Sequence, residues 1–135
     1  MLNKLNIILI SLCATTMWLL AGLWHKVIML QFYTRETGAS HEGTLTIFIA
    51  YLVLAMLMVY LYRYYQIKHN TTLDGFRFGA VIGLLWVFPH ELAMAGAHGE
   101  SIRYVFLNAG WHIFEQGIGG MLLAWLPGTI GRFNK

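Results

Sequence analysis

Histidine and acidic residues inside apolar segments are the side chains of this sequence most able to do chemistry. His90 and Glu91 directly follow Pro89, and His112 is followed by Glu115 three residues later. Imidazole and carboxylate groups bind metal ions, move protons and hydrogen-bond to polar ligands. Because ionisable side chains are costly to expose to lipid, we expect these residues to face the protein interior.

Two predicted helix faces carry these residues. On the later segment, residues three or four positions apart share one face: Asn108, His112, Glu115 and Gly119. On the earlier segment, the same spacing is shared by Gly79, Gly83, Trp86 and His90. His90 and His112 are equally distant in sequence from Ser101, so two antiparallel helices would place them at similar depth. We therefore expect the two histidines to face each other, with Glu115 one turn deeper.

A metal site is the leading hypothesis for these residues. Imidazole and carboxylate ligands in threes or fours suit Zn²⁺, and in other geometries copper or iron. The candidate ligands are His25, His90, His112, Glu115 and Glu91. Supporting residues around the metal would be Asn108, Trp111 and Gln116. Two opposed histidines can also ligate a haem, which is the weaker option because the sequence has no haem-attachment motif.

Two other kinds of function stay open. A histidine beside a carboxylate can relay protons or bind a polar substrate, as in a small transporter that would need to be oligomeric. Alternatively, His–Glu hydrogen bonds can fasten the helices, and the chain can be an accessory subunit of a larger membrane complex. The sequence identifies no catalytic residue, reaction or substrate, so it does not decide whether the protein is an enzyme.

Transmembrane helices are the elements that must position these residues. The chain has 135 residues, of which 58% are hydrophobic and only 11% charged, far from the composition of soluble domains. A bilayer core requires about 20 apolar residues per helix, and residues 5–24, 45–65, 76–97 and 104–126 meet that requirement. We therefore predict an all-α membrane protein over residues 1–135, with four transmembrane helices in an antiparallel bundle. The first segment is longer than the apolar part of a typical signal peptide, so we expect it to be retained.

Predicted helix 3 contains a proline and a row of glycines. Pro89 cannot donate a backbone hydrogen bond and should kink the helix. Because a histidine and a glutamate follow at once, the kink suggests a polar pocket that opens toward the outer side. Gly75, Gly79 and Gly83 recur every four residues, a spacing that lets membrane helices approach closely.

The distribution of charges predicts the orientation in the membrane. The predicted side that holds both termini carries Lys4, Arg63, Lys68, Arg77, Arg132 and Lys135, and the other side carries Lys26, Arg35 and Arg103. This excess places both termini in the cytoplasm. Most acids and histidines then fall on the outer side, including Glu36, His41 and Glu42 in the first loop and His98 and Glu100 in the second. The expected partners are the lipid bilayer and a homo-oligomer or larger membrane complex, and no basic patch suits nucleic acid.

Two short motifs resemble those of a group of bacterial proteins. "AGLWHK" at residues 21–26 and "GAVIGLLW" at residues 79–86 are similar to the first-helix and third-helix signatures of small four-helix bacterial membrane proteins in domain-of-unknown-function families. The resemblance implies a bacterial multi-pass protein of the inner (cytoplasmic) membrane. It implies nothing about activity, and it assigns no functional residue.

Overall fold

The computed structural model describes residues 4–31, 44–64 and 71–133, with side chains described as far as residue 127. These residues form four α-helices: α1 (Lys4–Leu23), α2 (Thr44–Tyr64), α3 (Thr72–His98) and α4 (Ile102–Phe133). A short π-helical stretch, Trp24–Ile28, continues α1. The predicted all-α class is confirmed.

Three helices are long and apolar enough to cross a membrane, among the residues that the structure describes: Lys4–Ile28, Thr44–Tyr64 and Thr72–His98. This finding supports a membrane protein. Helix α4 is 32 residues long, but polar side chains on its buried face lower its hydropathy. The fourth span therefore stays a prediction, as do the complete antiparallel bundle and the kink at Pro89, which lies inside α3.

Helices α1 and α2 pack through one apolar face of each helix. On α1 the buried residues recur every four positions, at Leu9, Cys13, Met17 and Ala21. The facing residues of α2 are Tyr51, Leu54, Ala55, Met58 and Val59. Both sets follow helical periodicity. Because lipid tails are as apolar as these side chains, close packing rather than burial from water holds the two helices together.

Helices α3 and α4 pack through a row of glycines that leaves no room for a side chain. A Cβ atom built on Gly79 would overlap the carbonyl oxygen of Gln116, and one on Gly83 would lie 2.7 Å from the carbonyl oxygen of His112. Toward the start of α3, Gly75 meets Gly120 in the same way. The partner numbers fall as the α3 numbers rise, so these two helices are antiparallel. The close-packing role predicted for the glycines is confirmed.

Helix α4 also packs against α1 and so joins the two helix pairs. A Cβ atom on Gly119 would lie 2.7 Å from the sulfur of Met17. The Cys13 thiol donates to the carbonyl oxygen of Gly119 at 3.5 Å. Helix α4 therefore contacts α1 on one side and α3 on the other, and the strip between these contacts is enclosed by protein.

The ends of α3 are fixed by local hydrogen bonds. The Thr71 hydroxyl accepts from the backbone N–H of Asp74, whose side chain accepts in return from the Thr71 backbone, which is a capping box. At the other end Gly99 adopts a left-handed conformation with φ 71° and its N–H donates to the carbonyl oxygen of Ala95. We call the end of the molecule that holds residues 99–101 the turn end.

We expect Gly79→Ala to lower the thermal stability of the protein in detergent. The added methyl group would overlap the α4 backbone, and overpacking of this kind costs about 1–3 kcal/mol. Gly96→Ala is the matched control on the same helix, because no atom lies within 4 Å of a Cβ built there. Thermal unfolding followed by circular dichroism checks the pair. Equal stability of the two variants would contradict the close contact between α3 and α4.

Candidate functional site

The buried polar side chains of the described residues are concentrated on α4. Asn108, Glu115 and Gln116 are 5%, 0% and 1% exposed, and the side chain of His112 is 17% exposed. They lie on the strip of α4 that α1 and α3 enclose. The predicted interior position of His112 and Glu115 agrees with this arrangement.

Glu115 is fully buried, and neither of its carboxylate oxygens has a hydrogen-bond partner. The nearest group of possible opposite charge is Nδ1 of His112, which lies 3.5 Å from Oε2 and also lacks a hydrogen bond. The Tyr51 hydroxyl of α2 and the Trp111 indole face the carboxylate without completing a hydrogen bond. The carboxylate is therefore enclosed by protein, and its nearest polar groups, on His112, Tyr51 and Trp111, form no hydrogen bond with it.

The same stretch of α4 holds further polar atoms that are buried and unpaired: Nε1 of Trp111 and Oε1 of Gln116. We call Trp111, His112, Glu115 and Gln116 the buried cluster. Buried polar groups in proteins are normally hydrogen-bonded, and each exception requires an explanation such as a catalytic role or a bound species. Several exceptions within two turns of one helix mark this cluster as the candidate site.

A hydrogen-bonded network of three side chains lies between the buried cluster and the turn end. Asn108 of α4 donates from Nδ2 to Oε1 of Glu91 on α3 at 3.1 Å. Its Oδ1 lies 3.3 Å from Nε2 of His25. Nδ1 of His25 lies 2.9 Å from the carbonyl oxygen of Ala21. We call Glu91, Asn108 and His25 the outer network, and it connects α3, α4 and α1.

The partners of Asn108 in the outer network indicate how its side-chain amide is oriented. A carboxylate only accepts hydrogen bonds, so Glu91 orients the Asn108 amide with its nitrogen toward α3 and its oxygen toward His25. His25 then has an oxygen acceptor at each ring nitrogen. The His25 ring is therefore held between α1 and the Asn108 side chain.

The π-helical stretch positions the outer network against the buried cluster. The Met29 N–H donates to the carbonyl oxygen of Trp24 at 2.8 Å, which is the five-residue bond of a π-helix. Within this stretch, Trp24 stacks on Trp111 with ring centroids 4.4 Å apart, and the His25 ring lies 6.1 Å from the His112 ring. Short π-helical segments occur frequently at functional sites.

His90 does not meet His112, which differs from the expectation. The buried residues of α3 follow an i, i+4 row through Gly79, Gly83 and Val87. Because a helix has 3.6 residues per turn, such a row rotates by about 40° at each step. Continued in steps of four residues, the row reaches Glu91 and then the buried Ala95. His90 lies outside this row and is exposed.

The depth of His90 also differs from the expectation. Gly83, rather than His90, lies opposite His112. At about 1.5 Å per residue, His90 is displaced along α3 by about 10 Å from that level. Trp86, which was predicted to share the inner face, is 59% exposed. The row of glycines sets a register that sequence distance from Ser101 does not reproduce.

The five predicted metal ligands are thus divided among different surroundings. His112 and Glu115 are adjacent, Glu91 and His25 bond to Asn108, and His90 is exposed. Over residues 4–31, 44–64 and 71–133, no group of three or more His, Cys, Asp or Glu side chains is placed to hold a metal ion. The predicted supporting residues Asn108, Trp111 and Gln116 do lie at the candidate site. The loop residues Glu36, His41 and Glu42 lie outside the described residues.

Tyr51 is the site residue that sequence reasoning missed. It is 8% exposed and faces Glu115 from α2. The available signal was a tyrosine near the middle of an apolar predicted span, apart from the group of tyrosines that begins at Tyr60. Tyrosine is common in membrane helices near the lipid interface, so this signal did not distinguish Tyr51 from an interfacial residue.

Comparison of the chain with protein-family models, with curated proteins and with solved structures finds no match. The resemblance to small bacterial four-helix proteins therefore stays a prediction.

We expect Glu115→Gln and Gln116→Glu to have opposite consequences for stability at neutral pH. Glu115→Gln replaces an unpaired carboxyl by a neutral group of the same shape and should leave the thermal stability unchanged or raise it. Gln116→Glu adds a second unpaired carboxyl beside the first and should cost about 1–3 kcal/mol. Thermal unfolding in one detergent compares the two variants. A large loss of stability in Glu115→Gln would show that the carboxylate has fixed protein partners.

Proposed function

We propose that this chain is a multi-pass membrane protein that takes up and releases protons at Glu115, and that His112 and the outer network connect this carboxyl to water at the turn end. The observation that carries the proposal is the full burial of Glu115 with two carboxylate oxygens that have no hydrogen-bond partner. Ionisable residues in the interior of membrane proteins commonly belong to proton relays and ion pathways.

A proton fits this site better than a larger ligand. An isolated ionised carboxylate is very costly to bury, so Glu115 requires either a proton or a cation. A proton requires no cavity, and the cluster consists of closely packed side chains around the Glu115 carboxyl. The unpaired Nδ1 of His112, at 3.5 Å from Oε2, is the adjacent group able to give or take that proton.

The outer network supplies the steps between this pair and the turn end. Glu91 is half-buried near the turn end and bonds to Asn108, which contacts His25. The His25 and His112 ring centroids are 6.1 Å apart, a separation that one bridging water molecule spans. Asn108 holds Glu91 and His25 beside each other, and its amide carries no proton itself, so the titratable groups of the route are Glu91, His25, His112 and Glu115.

The predicted location and the metal hypothesis bear on this function in different ways. We place the protein in the bacterial inner membrane with the turn end outward, as the Lys and Arg distribution predicts. A zinc, copper or iron ion at His112 and Glu115 would require at least one ligand more than the described residues place there. A proton route in a chain of this size also agrees with a subunit of a homo-oligomer or of a larger membrane complex.

We expect the wild-type protein in liposomes to take up and release a proton at Glu115 after a change of pH on the turn-end side, followed by the infrared band of its protonated carboxyl. Glu115→Gln should abolish that band, because it removes the group that binds the proton. Glu100→Gln is the control and should keep the band, since this carboxylate lies in the turn. The same band at full intensity in Glu115→Gln would contradict the proposal. Stoichiometric metal in the wild type, lost in Glu115→Gln, would favour the metal site instead.

We expect His25→Gln to slow proton movement and His98→Gln to leave it unchanged. Both histidines place Nδ1 against the carbonyl oxygen four residues earlier, at 2.9 Å from Ala21 and 3.2 Å from Met94. They differ at Nε2, which contacts Asn108 only in His25. The infrared band of a protonated carboxyl at Glu115 should persist in both variants. Equal rates of proton movement in the two variants would show that the outer network is not part of the route. Proton binding at Glu115 would not be contradicted by that result.

A further inference from the structure

A groove between α1 and α2 lies at the end of the molecule opposite the turn end. Its cavity has a volume of about 550 Å³, within the range of small-molecule sites in proteins. The apolar part of its lining comes from Ile10 of α1 and from Met56, Leu57 and Val59 of α2. This surface suits a hydrocarbon chain and offers it few polar contacts.

The rim of the groove is basic and aromatic. Arg63, in the last turn of α2, lines the groove together with Tyr60 and Tyr64, whose rings stack at 6.2 Å between centroids. Lys4 lies in the first turn of α1 at the same end. Within the part of the chain that the structure describes, neither Arg63 nor Lys4 forms an ion pair.

Among the residues that the structure describes, Asp74 is the acidic residue at this end. Asp74 bonds to Thr71 and lies 3.6 Å from the guanidinium of Arg77. A second copy packed side by side in the same orientation would bring the same end of the molecule, with its cations and its paired Asp74, toward Arg63. An anion from outside the chain would supply the counter-charge that Arg63 lacks.

We propose that this groove binds an anionic phospholipid, with an acyl chain along Ile10, Leu57 and Val59 and the phosphate at Arg63. Basic pockets between membrane helices on the cytoplasmic side bind anionic headgroups, and each basic residue near the surface contributes about 1 kcal/mol. The predicted orientation places this end of the molecule at the cytoplasmic leaflet. In this orientation Tyr60 and Tyr64 would lie at the depth of the headgroups, as interfacial aromatic residues do. The proposal is independent of proton uptake at Glu115.

The test compares retention of phosphatidylglycerol and phosphatidylcholine with identical acyl chains, using native mass spectrometry of the purified full chain. We expect wild-type protein to retain the anionic lipid preferentially. Arg63→Gln should reduce that preference about fivefold, which corresponds to the contribution of one basic residue. Arg77→Gln is the matched control, because Arg77 is also exposed at this end but is paired with Asp74.

A second variant tests the groove separately from its charge. Leu57→Trp should fill the cavity and reduce retention of both lipids while leaving the thermal stability close to that of the wild type, since Leu57 is 45% exposed. Equal retention of the two lipids by the wild type would overturn the proposal. Equal losses in Arg63→Gln and Arg77→Gln would also overturn it. A concentration-dependent dimer that Leu57→Trp abolishes would identify a second copy as the occupant and overturn it as well.

Discussion

The backbone contact between Gly79 of α3 and Gln116 of α4 is the constraint on which the rest of the arrangement depends. Without a side chain on α3 at this point, the two helices approach until the glycine meets the opposing carbonyl group. Helix α4 is then held close to α3 on one side, while Gly119 admits Met17 and Cys13 of α1 on the other. The polar strip of α4 is not exposed to lipid, so Glu115 is buried because the helix backbones pack closely.

Close packing also explains why the buried cluster remains unpaired. Small residues bring the helices together but provide no side chains that could hydrogen-bond to Glu115 or Gln116. The groups that do reach the carboxylate are His112, Tyr51 and Trp111, and none completes a hydrogen bond. Unsatisfied polar atoms destabilise a buried site, so an all-apolar strip would give a more stable protein. Because titratable groups inside a membrane destabilise the protein, their presence there is a general reason to treat them as functional.

The sequence predicted the helices and most of the polar site, but not its register. Apolar runs, the glycine row and the Asn108–His112–Glu115 spacing depend on helical periodicity alone, and the structure bears them out. The expected contact of His90 with His112 depended on how far two helices slide and rotate against each other. The sliding and rotation of α3 against α4 depend on backbone contacts at Gly79 and Gly83. Sequence distance from the turn does not predict these contacts. Glu91 took the inner position because the contact row rotates along α3.

The two ends of the molecule differ in charge in a way that fits one orientation. Carboxylates and histidines are concentrated toward the turn end, where water can exchange protons with Glu91 and the residues behind it. At the opposite end Asp74 caps α3 and pairs with Arg77, which leaves the positive charges of Lys4 and Arg63 for molecules outside the chain. A cytoplasmic leaflet with anionic lipids attracts such an end. The same distribution of charge is what the proposed proton exchange at the turn end and the proposed lipid binding at the other end both require.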